Sequence, residues 1–112
     1  RVQLEEAARV LRGRINRQHM LDGVTLLDAQ NTYVDADVTI GRDTVLYPGT
    51  VIEAGSRIGA RCTLYPGCHI RASVLGDDVT AQYATIHQSV IPDGACIGPF
   101  EWIKPPEKDG RT

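Results

Sequence analysis

The stretch VDADVT IGRDTV LYPGTV IEAGSR IGARCT LYPGCH, residues 34–69, says one six-residue phrase six times. An aliphatic residue opens each phrase, at Val34, Ile40, Leu46, Ile52, Ile58 and Leu64, and Ile70 opens the next. Four places later comes a small or β-branched residue, at Val38, Thr44, Thr50, Ser56, Cys62 and Cys68. Glycine and Pro-Gly pairs punctuate the phrases, at Gly41, Pro48-Gly49, Gly55, Gly59 and Pro66-Gly67. A unit this short holds neither a helix nor a strand hairpin; it fits a flat strand followed by a corner. Three such units close a triangular coil, and coils stack as parallel strands about 4.8 Å apart.

Beyond Ile70 the period slips to five or six residues but continues through Leu75, Ala81, Ile86, Ile91, Ile97 and Ile103. Taking the opening residues by threes predicts three interior ladders. Val34, Ile52, Ile70, Ile86 and Ile103 form the first wall, and Ile40, Ile58, Leu75 and Ile91 the second. Leu46, Leu64, Ala81 and Ile97 form the third, with Ala81 as the one short rung. An antiparallel sandwich would need strict alternation over longer strands, with turns every 8–12 residues or so.

Working outward, residues 1–23 have a different grammar. Leu4, Ala8, Leu11 and Ile15 recur at helical spacing among strong helix formers. Glu5 and Glu6 stand near the start, arginines follow, and Gly23 is the expected stop. This predicts a helical arm with a narrow apolar stripe, in need of a partner: the first coil or another chain. The predicted organisation is an arm over 1–23, a lead-in strand and turn over 24–33, a β-helix of about four coils over 34–104, and a polar tail over 105–112. Glu101 and Glu107 fall in inward slots, where a carboxylate is costly, so the regular coil is expected to end near Gly98. The absence of an initiator Met before the helix gives the expectation that the chain is a piece of a longer protein.

The chain has 112 residues and a net charge of −2. It therefore lacks the basic footprint of a nucleic-acid or anionic-membrane binder. No apolar run reaches the roughly 18 residues of a membrane span and no signal peptide precedes the fold, so a cytoplasmic location is expected. Cys62, Cys68 and Cys96 form no CxxC pair and predict neither a disulfide framework nor a zinc finger. Cys62 and Cys68 occupy inward slots and are expected to be buried thiols, with Cys96 accessible. His69 precedes Ile70 and His87 follows Ile86, so the two are read as flanking one edge from opposite sides, facing solvent. With His19 they complete no zinc set. Tyr47 and Tyr65, each before a Pro-Gly corner, are expected to stack outside.

The segments RVQLEEAARVLRGRI, HMLDGVTLLD, TYVDADVTIGRDTVLYPGTVIEAGSRIG and IGPF together resemble one family. It is the bifunctional bacterial N-acetylglucosamine-1-phosphate uridyltransferase / glucosamine-1-phosphate N-acetyltransferase, which makes UDP-N-acetylglucosamine for cell-wall synthesis. The resemblance covers nearly all of the chain up to Phe100 and implies a linker arm followed by a left-handed parallel β-helix that assembles as a homotrimer. It also implies magnesium for uridyl transfer and acetyl-CoA for acetyl transfer. The catalytic residues of both activities are expected to lie outside this chain. One family position remains, the basic residue after the GPF segment that contacts the phosphosugar. The family's LRPG reads Ile103-Lys104-Pro105-Pro106 here, so Lys104 is the candidate substrate-binding residue, without the bidentate fork of arginine. The other readings are a stand-alone structural trimerisation module and a small hexapeptide acyltransferase.

Overall fold

The computed structural model describes residues 1–105. A helix, α1 (Val2–Leu21), leads into fourteen strands of two to four residues each. The strands pair in parallel as two five-stranded sheets and one four-stranded sheet, with every third strand a neighbour in space. This is a parallel β-helix of three walls, as the repeat requires.

Register follows the predicted ladders throughout. Val34, Ile52, Ile70, Ile86 and Ile103 stack in the first wall. Ile40, Ile58, Leu75 and Ile91 stack in the second. Leu46, Leu64, Ala81 and Ile97 stack in the third. The ladders fill the interior, and Leu46, Ile52, Leu64, Ile70, Ala81 and Ile86 are fully buried. The small residues line the corners inside, continuing past Cys68 as Ser73, Val79 and Ala84. Their polar atoms are satisfied locally: the Thr50 hydroxyl donates to the Tyr47 carbonyl at 2.8 Å, and that of Thr44 to the Gly59 carbonyl at 2.8 Å. Carboxylates stitch coil to coil at the corners, Asp35 accepting from the Ala54 N–H and Asp77 from the Ala60 N–H, each at 2.8 Å.

Two expectations about the ends of the stack are corrected. The lead-in strand Thr25–Leu26 pairs with Val45–Leu46 and is itself the first rung of the third wall, so the stack runs to about five turns rather than four. At the other end the coil does not stop near Gly98, because Glu101–Ile103 pairs with Ala84–Ile86. Glu101 is not buried as its slot implied. It sits on the last described rung, exposed, and its carboxylate accepts from the Gly98 N–H at 2.5 Å. Glu107 lies outside the described residues.

The arm behaves as read in its local chemistry. Glu5 and Arg9 pair at 3.6 Å, and Gly23 takes a positive φ of 97° just past the helix end. Its apolar stripe is covered only in part. Ile15 packs against the core, while Leu4 and Leu11 stay exposed. The residue that seats the arm is a polar one, Asn16, fully buried, whose Nδ2 donates to the carbonyls of Ala29 and Thr32 at 2.8 and 3.0 Å. No helix among the described residues is long and apolar enough to cross a membrane.

Candidate functional site: the outer face of the first wall

Strand alternation that sends Ile52, Ile70, Ile86 and Ile103 inward sends the residues on both sides of each outward. Outside the first wall there are therefore two ladders. Tyr33, Val51, His69, Thr85 and Trp102 form one by direct pairing. The other is formed by the residues after each inward aliphatic, Asp35, Glu53, Arg71, His87 and Lys104, with His87 paired directly over Arg71. Its charge changes along the stack, acidic on the first two rungs and basic from Arg71 onward.

This register corrects the expectation that His69 and His87 flank the edge from opposite sides. Residues before and after an inward aliphatic share the outer face, and the step from Ile70 to Ile86 brings the imidazoles edge to face, centroids 5.3 Å apart. Neither is a simple solvent-facing histidine. His69 Nε2 contacts the Glu53 carboxylate, and this bond holds the Glu53 carboxyl below its ordinary range. His87 Nδ1 faces the Arg71 guanidinium at 3.4 Å. Accepting there leaves its proton on Nε2, which is buried without a partner among the described residues. Burial first, and Arg71 and His69 next, push the His87 pKa down, against an upward pull from Glu53.

Lys104, the one substrate-binding candidate, lies at the far end of this face. Its Nζ sits over the Trp102 ring, 4.6 Å from the centroid. Trp102 is 63% exposed, and its ring meets that of His87 edge-on at 6.4 Å. Arg71 and Trp102 were not candidates on sequence grounds, and His87 was weighed only as a metal ligand and read as solvent-facing. The signal that finds them is register, since each follows or precedes an inward isoleucine on a successive coil.

The remaining candidates fall elsewhere. Tyr47 and Tyr65 stack as expected, centroids 4.8 Å apart. Cys62 and Cys68 are buried and Cys96 is exposed. Burial raises the pKa of both buried thiols. His19 lies apart on α1, its pKa lowered chiefly by burial. Among the described residues no three His, Cys, Asp or Glu side chains are grouped to hold a metal ion.

Comparison with known proteins agrees with this architecture. Residues 37–72 match the family model described as bacterial transferase hexapeptide (six repeats). Over all 112 residues the chain is 44% identical to the bifunctional protein GlmU of Clostridium kluyveri and 46% identical to that of Clostridium botulinum strain ATCC 19397. It is 46% identical over 108 residues to the bifunctional protein GlmU of a Geobacillus species. The matches cover 96–100% of this chain but only 24–25% of these relatives, so it spans about a quarter of their length.

Proposed function

We propose, from the premise that this chain is a GlmU-like segment of arm and hexapeptide β-helix, that it serves the transferase making UDP-N-acetylglucosamine for cell-wall synthesis in the cytoplasm. In this reading the chain supplies a trimerisation scaffold and, through Lys104, one contact to a phosphosugar. The observation that carries it is the end-to-end match to the bifunctional GlmU proteins, joined to a β-helix whose last described rung presents Lys104 outward. A homotrimer is supported by what the walls leave uncovered. Val90 and Phe100 are 78% and 83% exposed, apolar surface that a second copy would cover.

Acetyl-CoA and magnesium belong to the family's two reactions, and the chain alone is proposed to catalyse neither. Acetyl transfer needs a positioned general base. His87 faces a guanidinium that disfavours taking up a proton, and the resemblance puts the family's catalytic residues outside this chain. Two measurements test the reading. Light scattering at micromolar concentration is expected to give the mass of three chains, and a single-chain mass refutes the trimer. A thiol-release assay with glucosamine-1-phosphate and acetyl-CoA is expected to show no turnover. Turnover that His87→Ala abolishes would instead make the chain a self-sufficient small acyltransferase. A trimer with no phosphosugar affinity would leave a purely structural module.

A further inference from the structure

The arm and the first coil meet only over the second half of α1. Every helix residue before Arg12 is exposed, and an open cleft of about 220 Å³ lies where the arm parts from the coil. Ala8, Leu11 and Ile15 line it from the arm, and Val34 and Ala36 from the coil. An alanine on each side leaves the space that a longer side chain would take. Each side also carries one charge, Arg12 on the arm and Asp35 on the coil. These two do not pair, since among the described residues no carboxylate oxygen lies within 4 Å of Arg12. The guanidinium lies instead over the Tyr33 ring, 4.7 Å from its centroid, which fixes its fork of donors at the cleft. Asp35 Oδ2 accepts from the Ala54 N–H at 2.8 Å, and a carboxylate has lone pairs for further donors. Surface charges without an ion-pair partner are ordinary. Opposite charges on the two sides of one apolar cleft are a more specific arrangement, because a single small ligand can answer both.

We infer that this cleft binds a small zwitterion with an apolar body, an α-amino acid of the leucine or phenylalanine class. Volume selects the size. A dry apolar cavity of about 150 Å³ takes up benzene, whereas pockets for drug-sized ligands begin at roughly 300 Å³. A cleft of about 220 Å³ falls between them. Charge selects the ends. The ligand carboxylate accepts from the Arg12 fork, its ammonium donates to Asp35, and its side chain lies on Leu11, Ile15 and Val34. A simple acid would answer Arg12 but bring its charge up to Asp35, and a simple amine would do the reverse. Both ionic contacts are open to water, so the affinity is modest, in the millimolar range. Binding adds a second tie between arm and coil beside that of Asn16 and so stiffens the joint. Tyr33 is on the first rung of the first wall and Lys104 beyond the last, so this site and the phosphosugar reading stand or fall separately.

Isothermal titration calorimetry with four ligands separates the contributions. Leucine is compared with 4-methylpentanoate, which lacks its amino group, 3-methylbutylamine, which lacks its carboxylate, and glycine, which lacks its apolar body. Leucine is expected to bind saturably and each analogue at least about fivefold more weakly, near the value of one charge-assisted hydrogen bond. Two variants cross these analogues. In Arg12→Gln leucine should fall to the affinity of 3-methylbutylamine for the wild type, and in Asp35→Asn to that of 4-methylpentanoate. The Asp35→Asn carboxamide oxygen still accepts from the Ala54 N–H, so the contact between coils is kept. Ala8→Leu, at an exposed helical position where leucine is nearly as good a helix former, fills the cleft and should abolish binding. Leucine should also slow hydrogen exchange of the amides over residues 8–15 in the wild type, which locates the site on the arm. Absence of leucine binding, an analogue that binds the wild type as well as leucine does, or leucine affinity unchanged in any of the three variants overturns the inference.

Discussion

Gly41 closes a corner of the second wall where two coils touch backbone to backbone. A Cβ at this position would stand 2.5 Å from the Ala60 nitrogen, 2.6 Å from the Gly59 carbonyl carbon and 2.7 Å from the Ala60 Cα. All three are main-chain atoms of the next coil, so no side chain can rotate away. Ordinary contact at about 3.5 Å would need the coils to part by roughly 0.8–1 Å, at the corner where the Gly41 N–H donates to the Ile58 carbonyl at 2.9 Å. Overpacking of this kind costs about 1–3 kcal/mol, and the weakened bond adds about 1. Gly41→Ala is therefore expected to lose about 2–4 kcal/mol in urea unfolding followed by circular dichroism, with the slope unchanged. Gly13→Ala is the control, because nothing lies within 4 Å of a Cβ there and the residue is inside α1. It should raise helix signal and stabilise by about 0.5–1 kcal/mol. A Gly41→Ala protein within about 0.5 kcal/mol of wild type would mean that the coils do not approach this closely, and the stacking argument would fail with it.

Other predictions follow from burial and charge. Cys96 should react with a thiol reagent in the native protein, whereas Cys62 and Cys68, buried and with raised pKa values, should react only on unfolding; fast labelling of all three would disprove the wall assignment. Ile58→Ala, truncating a buried rung, should cost about 2–5 kcal/mol, and Ala81→Val, at the short rung, less than about 1; the reverse order in chemical denaturation would contradict the ladders. Stability should fall with pH in two steps. His87 and His19 have pKa values below their ordinary 6.5, so the unfolded chain binds protons first and the urea midpoint should drop as pH falls below 6.5, less so in His87→Gln. Glu53, also depressed, contributes stability above its ordinary 4.5 that is lost as pH falls through its lower folded value. A midpoint flat between about pH 7.5 and pH 5.5 would refute the histidine part.

The inside of this protein was legible in the sequence and the outside was not, for a physical reason. An inward position admits only an aliphatic or a small residue, so the ladder from Val34 to Ile103 writes its own register even across the slip after Ile70. Outward positions accept almost anything. His69 and His87 are eighteen residues apart, a full regular turn, so a strict period would give them the same slot; the coil from Ile70 to Ile86 is two residues short, which sets His69 before its isoleucine and His87 after, and a reader who takes before and after for opposite faces separates them. Only the shortened coil, with Thr85 rather than His87 opposite His69, brings Arg71, His87 and Lys104 onto one ladder. Glu101 misled for the converse reason. Its slot was read as inward by continuing the pattern, but the side chain is exposed and its carboxylate accepts from the Gly98 N–H. The left hand of the coil was implied by the resemblance, never by the period.

Asn16 shows a further way in which sequence pattern under-reads structure. In a helix whose apolar stripe runs Leu4, Ala8, Leu11, Ile15, an asparagine beside the last member reads as solvated surface, yet it is the one fully buried residue of α1. Two carbonyls, of Ala29 and Thr32, turn toward the arm because the Ala29–Asn31 turn leaves no strand partner for them, and a carboxamide supplies both donors from one side chain. The turn is fixed in its own right, Asp28 accepting from the Gln30 N–H at 3.2 Å and its carbonyl from the Thr32 hydroxyl at 2.8 Å. The joint between arm and solenoid is thus directional where an apolar contact would slide. A stripe that buries only Ile15 fixes no angle, but two hydrogen bonds to a rigid turn do, and the remaining exposed stripe is held out at that angle from the first coil. Orientation of the arm is therefore carried by a residue that hydropathy ranks as surface, and of the apolar positions that hydropathy selects Ile15 packs against the core while Leu4 and Leu11 stay exposed.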